Sequence, residues 1–241
     1  MKITFLYGRS GSGKTHEIAN RLRRSADADT RSFLLVPEQQ SHSAERHMLT
    51  LLPPSAQLTV EALSFSRLAN RVFRQFGGLS YHYATGGVQA LLMWRRLCEL
   101  SPLLEEYGEQ ATKNPALSEV MLAAIGELKG CGISPTRLEH VAAKLPEGHS
   151  LRARLRDISL IYAAYQNALT ERYDDASDDL SRLGEVLREH PFFTGSHIYI
   201  DYFTSFTAQE MDIIRLMLRQ ADHVTVALCC DGRGEIGRAH V

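Results

Sequence analysis

The stretch YGRSGSGKT, Tyr7 to Thr15, constrains the fold more than any other part of the chain. Gly8, four residues, then Gly13-Lys14-Thr15 is the spacing of a phosphate-binding loop, G-x-x-x-x-G-K-[ST]. Glycines at 8, 11 and 13 allow positive φ, so successive N–H groups can turn inward around phosphate oxygens. KITFLY before the loop is a compact apolar run of strand type. THEIANRLRR after it places Ile18, Ala19 and Leu22 at helical spacing. A loop between a strand and a helix N-terminus offers an anion free N–H groups and the positive end of the helix dipole. A glycine-rich turn that binds nothing is the plainer reading, and the strand–loop–helix context argues against it. The candidate nucleotide-binding residues are therefore Gly8, Arg9, Ser10, Gly11, Ser12, Gly13, Lys14 and Thr15. Lys14 is expected to reach the β- and γ-phosphates of ATP, and the Thr15 hydroxyl to hold Mg²⁺. Such a loop specifies nucleotide binding and says little about the reaction.

Downstream, Phe33 to Val36 is a continuous apolar run, as in a buried parallel strand, and Pro37 stops it. A helix carrying Met48, Leu49 and Leu52 precedes Pro53-Pro54. LTVEALSFSRLANRVFRQFGG then reads as a short strand, a turn and a helix. Phe65, Leu68, Ala69, Val72 and Phe76 form the apolar face of that helix, and Arg67, Arg71 and Arg74 lie on another. Between about Gly86 and His190 no strand pattern is convincing, and four segments read as helices of a bundle. In one, Ser134 is the expected N-cap with Pro135 at the first helical position. In another, Leu151, Leu155, Ile158, Tyr162, Tyr165 and Leu169 form a long stripe. Then strands return: HIYID ends in Asp201, TAQEMDIIRLMLRQ carries a capping box of Thr207 and Glu210, and HVTVALCC is a further strand. Strands alternating with helices imply a parallel sheet covered on both faces. The expected class is α/β, with residues 1–85 and 191–232 forming the sheet domain and 86–190 an inserted helical domain.

Asp201, at a strand end, is expected to support Mg²⁺ beside Thr15; a plain turn aspartate is the alternative. The position after it is Tyr202, so no carboxylate stands where a water-activating base would be expected. No catalytic residue is assigned.

Composition adds boundaries. The 241 residues are 44% hydrophobic and 23% charged, with formal net charge −1, enough for one large domain or two small ones. No apolar run of about 18 residues exists and no signal peptide precedes the first strand, so a cytoplasmic protein without membrane contact is expected. Cys98, Cys131, Cys229 and Cys230 form no C-x-x-C and read as reduced thiols, though one could ligate a group built mainly by another part of a longer chain. None of the ten histidines is assigned to a metal. The near-zero charge neither supports nor excludes nucleic acid, because a local basic stripe would suffice. The terminal EIGRAHV resembles translated sequencing-adapter DNA. Residues 233–241 are set aside as a non-native or disordered tail, with the natural chain expected to continue past about residue 232.

The blocks GRSGSGKT, LLVPEQQSHSAERHML, LTVEALSFSRLANRVFRQFGG, LRDISLIYAAYQ, YDDASDDLSRL and IYIDYFTSFTAQEMDIIRLMLRQADHVTVAL resemble, in order, the N-terminal part of AddB subunits. These belong to bacterial AddAB (RexAB-type) helicase–nucleases, which process double-strand breaks for recombination. The resemblance implies the first RecA-like P-loop domain of a superfamily 1 helicase with a large helical insertion. It also implies an AddA-type partner subunit and binding of single- and double-stranded DNA. Gln39, within the Pro37-Glu38-Gln39 segment, and the Ser64-Phe65-Ser66-Arg67 turn would border single-stranded DNA. An arginine stripe of this kind is also compatible with a solvated face. Active members carry D-E-x-Q and G-D-x-x-Q, where this chain reads Asp201-Tyr202-Phe203-Thr204 and ALCCDG. The implied site therefore binds ATP in a degenerate motor. The nuclease domain and iron–sulfur cluster of such a protein would lie C-terminal to this chain. A working superfamily 1 helicase, a small-molecule kinase with a helical lid, and a scaffold with a vestigial loop remain as competing readings.

Overall fold

The computed structural model describes residues 2–53, 59–79 and 82–230. It resolves into two compact units: Met1–Leu79 with Leu180–Val241, and Ser80–Asp179.

Among the described residues the first unit is built on five parallel strands, β1 (Lys2–Gly8), β2 (Ser32–Leu35), β3 (Val60–Leu63), β4 (His197–Ile200) and β5 (His223–Cys229), in the order β1-β5-β4-β2-β3. Helices α1 (Lys14–Asp27) and α2 (Ser41–Leu51) cover one face. Ile18, Leu22, Ala44 and Met48 pack there on Leu34, Val36, Ala62, Tyr199 and Ala227. On the other face α3 (Phe65–Phe76), α9 (Asp179–Glu189) and α10 (Ala208–Gln220) bury Phe33, Leu35, Ile198, Ile200, Val224 and Val226. β2 and β4 are apolar on both faces because both are covered, whereas β1 at the sheet's edge keeps Ile3, Phe5 and Tyr7 exposed. The face expected for α3 is buried at Phe65, Leu68, Ala69 and Val72; Phe73 joins it, while Phe76 is only half-buried and stacks on His190 at 4.6 Å.

At the amino ends of the strands, polar groups close on one another. The Ser25 hydroxyl meets His197 Nδ1 and the Tyr199 hydroxyl, each at 3.0 Å, and Thr4 Oγ1 meets His223 Nε2 at 2.9 Å. Burial, with help from His197 and Lys2, holds the His223 imidazole below the ordinary histidine range.

The second unit contains α4 (Gly86–Leu100), α5 (Gly108–Lys113), α6 (Leu117–Gly130), α7 (Pro135–Ala143) and α8 (Ser150–Thr170). Its core joins Met93, Leu97, Met121, Ile125, Leu138, Ile161, Tyr162, Tyr165 and Leu169. Ser134 caps α7 by accepting the Arg137 N–H. The stripe of α8 fails only at its start, where Leu151 is exposed in the first turn. Two charged groups are sunk in this unit. The Asp157 carboxylate accepts backbone N–H groups of Glu105, Glu106 and Tyr107 at 3.0, 2.8 and 3.0 Å. The buried Lys129 ammonium donates to Asp175 at 2.9 Å and Asp178 at 2.8 Å. Burial alone would lower the Lys129 pKa, but the two carboxylates outweigh it and raise it; burial alone would raise that of Asp175, and Lys129 and the Ser177 N–H lower it.

The seams of the insertion differ from the sequence expectation of 86–190, falling at 79/80 and 179/180. The physical reason at the second seam is α9: Leu183 and Leu187 are fully buried in the sheet's core with Phe33, Phe73 and Ile213. The proposed tail, 233–241, lies outside the described residues.

Candidate nucleotide site

β1 ends at Gly8 and α1 begins at Lys14, so the loop spans the carboxyl end of a strand and the amino end of a helix. Gly11 and Gly13 take φ of 77° and 88°, the left-handed region that side chains avoid. At Gly8 the issue is space: a Cβ there would stand 2.5 Å from Ser12 Oγ and 3.2 Å from Ser12 Cβ, so a side chain would push the serine hydroxyl out of its place in the loop. Unlike α3 and α10, whose first turns are capped by Ser64 and Thr207, α1 starts at Gly13 with no side-chain cap. Its first N–H groups are thus left for another acceptor. Lys14 curls over the loop, its ammonium donating to the Gly8 carbonyl at 2.7 Å and the Arg9 carbonyl at 2.8 Å. Glu17, the acid of the first turn, is drawn to Arg21 at 2.7 Å, which holds its carboxyl below the usual range.

Asp201 follows β4, and β5 separates that strand from β1. Because all strands run parallel, their carboxyl ends share one edge, and residues 186 apart in sequence meet there: the Thr15 hydroxyl donates to Asp201 Oδ2 at 2.8 Å. The other oxygen, Oδ1, accepts the N–H of Tyr202 at 2.8 Å. Asp201 is 5% exposed, whereas Tyr202 is 45% exposed and holds φ at 68°. A left-handed tyrosine costs on the order of 1–3 kcal/mol, offset here by the bond to Asp201.

Ser10 to Thr15, Asp201 to Thr204, Ala227 and Cys229 line a cleft of about 340 Å³. A phosphate chain fits this donor set: glycines that leave room, a cationic Lys14 and a hydroxyl–carboxylate pair. Among the described residues no cluster of three or more His, Cys, Asp or Glu side chains could hold a metal. A divalent ion here would rely on Thr15, Asp201 and the oxygens of the phosphate it accompanies. Cys229 was missed in the sequence; its signal is its place at the end of β5, in register with Gly8.

The expected DNA-bordering residues do not form one patch. Gln39, exposed, and Phe65, 5% exposed, line a second cleft of about 370 Å³ with Pro37, Glu38, Tyr202 and Phe203. Ser64 is 1% exposed and spends its hydroxyl on the N–H of Arg67 at 3.3 Å. Arg67 lines another cleft and pairs with Glu45 at 3.0 Å, while Arg71 pairs with Glu61 at 3.2 Å. Two arginines of the stripe are therefore neutralised locally.

Fold and loop together define a parallel α/β domain that presents a glycine-rich loop at the carboxyl edge of its sheet. Residues 5–240 match the family profile described as "ADDB, N-terminal", and the chain belongs to that family. The match runs into the terminal segment read above as foreign. Among curated relatives, proteins named as the B subunit of an ATP-dependent helicase/deoxyribonuclease are similar over nearly the whole chain. That of Acetivibrio thermocellus is 33% identical over 235 residues, 96% of this chain and 20% of the relative. That of Clostridium tetani is 32% identical over 239 residues, 98% and 21%. That of Clostridium kluyveri is 35% identical over 237 residues, 98% and 20%. The chain thus spans about a fifth of the length of the curated relatives it matches. No helix among the described residues is long and apolar enough to cross a membrane.

Proposed function

We propose that this chain is the N-terminal, nucleotide- and DNA-binding part of an AddB-type component of a cytoplasmic ATP-dependent helicase–exonuclease. That enzyme would process double-strand breaks together with an AddA-type partner. The observation that carries the reading is the Thr15–Asp201 contact across the strand ends, on a loop whose helix N-terminus is uncapped. In this reading the domain is a RecA-like P-loop domain. The loop N–H groups and Lys14 bind the phosphates, and Thr15 and Asp201 orient Mg²⁺. Magnesium would supply charge neutralisation between the phosphates. Nothing next to Asp201 can take a proton from water, because Tyr202 is not a carboxylate. Glu210, the next acid along the chain, spends its carboxylate on the N–H of Thr207 at 2.7 Å in a capping box. The site therefore holds nucleotide without turning it over, which disfavours a working helicase. Single-stranded DNA would meet the cleft at Pro37–Gln39 and Phe65, with Arg67 at its margin.

The test uses the full-length parent. Calorimetry should detect Mg·ATP binding that weakens in Lys14→Ala. Absence of binding in the wild type would sink the nucleotide reading. A DNA-stimulated turnover of about 10 per second that disappears in Lys14→Ala would instead establish an active motor.

A further inference from the structure

We propose that Glu45 is a built-in competitor for DNA: its carboxylate occupies the Arg67 guanidinium until a phosphate of single-stranded DNA displaces it. The proposal rests on the reading of Arg67 as a DNA contact.

Arg67 stands where helix chemistry alone would not put it. Ser64 caps α3, and Arg67 is the third residue of the first turn, giving its N–H to the cap at 3.3 Å. At the same position of α10, Glu210 completes a capping box with Thr207. A carboxylate there takes up a free N–H and suits the positive end of the helix dipole, and a guanidinium does neither. The first turn of α3 holds no acid of its own. The missing carboxylate comes from α2 instead: Glu45 Oε2 accepts from Arg67 Nη1 at 3.0 Å. Among the described residues the Glu45 carboxylate has no other partner.

Glu61 differs. It answers Arg71 at 3.2 Å and Arg31 at 3.8 Å, and Arg31 lies over the rings of Phe33 and Phe192 at 4.6 and 4.3 Å. That carboxylate serves the packing of the sheet unit. The Glu45 and Arg67 side chains are 44% and 36% exposed, so an incoming anion can reach both. They share a cleft of about 310 Å³. Ser66, the residue before Arg67, lines the cleft of Gln39 and Phe65. The guanidinium thus stands beside the proposed path of the strand with an anion already on it.

An exposed ion pair of this kind is weak enough to be exchanged for another anion. It still lowers what the arginine offers to DNA. If Glu45 stays on Arg67, a phosphate meets a nearly neutral pair and releases few counterions. If Glu45 leaves, its freed charge remains beside the phosphate and repels it, most strongly at low salt.

Anisotropy of a fluorescein-labelled oligothymidylate, titrated with the full-length protein across a salt series, tests this in wild type, Glu45→Gln, Arg67→Ala and the double variant. Glu45→Gln should bind up to about fivefold more tightly at low salt. Its log–log salt slope should steepen by up to about 0.7, one phosphate contact. A structural role for Glu45 would move affinity the other way, because a damaged site binds less. The gain should vanish in the double variant, the mark of an effect carried through Arg67. Binding by Glu45→Gln that is no tighter than wild type, while Arg67→Ala weakens it, would overturn the proposal and leave the DNA reading standing. A gain that persists in the double variant would also overturn it, since the carboxylate would then act on DNA without Arg67. Arg67→Ala without effect in either background would remove Arg67 from the DNA path and take the proposal with it.

Discussion

The sheet unit and the helical unit both bring charged side chains close to apolar cores, but they use them in opposite ways. In the helical unit, Lys129 meets Asp175 and Asp178, and Asp157 meets three backbone N–H groups, so each of these sunken charges is answered from within. At the carboxyl edge of the sheet, Lys14 leans on two carbonyls and α1 opens without a cap. A carbonyl is a weaker partner for an ammonium than a carboxylate or phosphate. Answered charges fix a fold, and under-answered ones at a cleft are available to a ligand.

Lys129→Met is the strongest test of the contrast. It leaves two carboxylates without their cation, and breaking a buried ion pair from one side costs about 3–5 kcal/mol. Chemical denaturation should show that loss in the helical unit, with Mg·ATP affinity of the folded protein unchanged. Lys14→Ala should do the reverse. A charge-assisted contact is worth about 1.5–3 kcal/mol, so nucleotide affinity should fall roughly tenfold to a hundredfold while the unfolding midpoint stays put. If Lys14→Ala destabilises the fold as much as Lys129→Met, the contrast is wrong.

A smaller effect concerns acid. The lowered pKa of His223 means the unfolded chain binds its proton first, so stability declines as pH drops below about 6.5. The lowered pKa of Asp175 contributes stability above about pH 4, lost as pH falls through its folded value. The raised pKa of Lys129 acts at the other end, its contribution disappearing as pH rises past about 10.5. His223→Gln should remove the upper acid step and spare the lower one, as followed by unfolding midpoints against pH. The smallest change is expected from replacing Arg67, Arg71 and Arg74 with alanine. If they meet phosphates, the log–log salt slope for single-stranded DNA should flatten by about 0.7 per lost contact. Since Glu45 and Glu61 already hold two of them, we expect less than a full contact in total.

The strands and loop were readable because parallel β runs and phosphate-loop spacing leave local marks. The caps at Ser134 and Thr207 were readable for the same reason: a cap is a four-residue event. Asp201 could be matched to Thr15 only because parallel strands put all their carboxyl ends on one edge. What could not be read was which core a helix serves. Leu183 and Leu187 have the spacing of any amphipathic helix, and nothing local distinguishes a bundle from a sheet face. The ion pairs of Arg67 and Arg71 were equally hidden, since Glu45 and Glu61 come from other elements.

Asp201 gives one oxygen to the loop and the other to the turn at Tyr202. A carboxylate is flat and rigid, so rotating it to serve an ion at Oδ2 also rotates Oδ1 away from its amide. Tyr202, Phe203 and Thr204 wall both the loop cleft and the cleft of Gln39 and Phe65. Hydrogen exchange at the Tyr202 amide should therefore quicken when Mg·ATP is added, and an unchanged rate would disprove the linkage. If it holds, a single carbon–carbon bond works as an axle between the two clefts, so that an ion or ligand taken up at the glycine-rich loop is felt at the wall of the other.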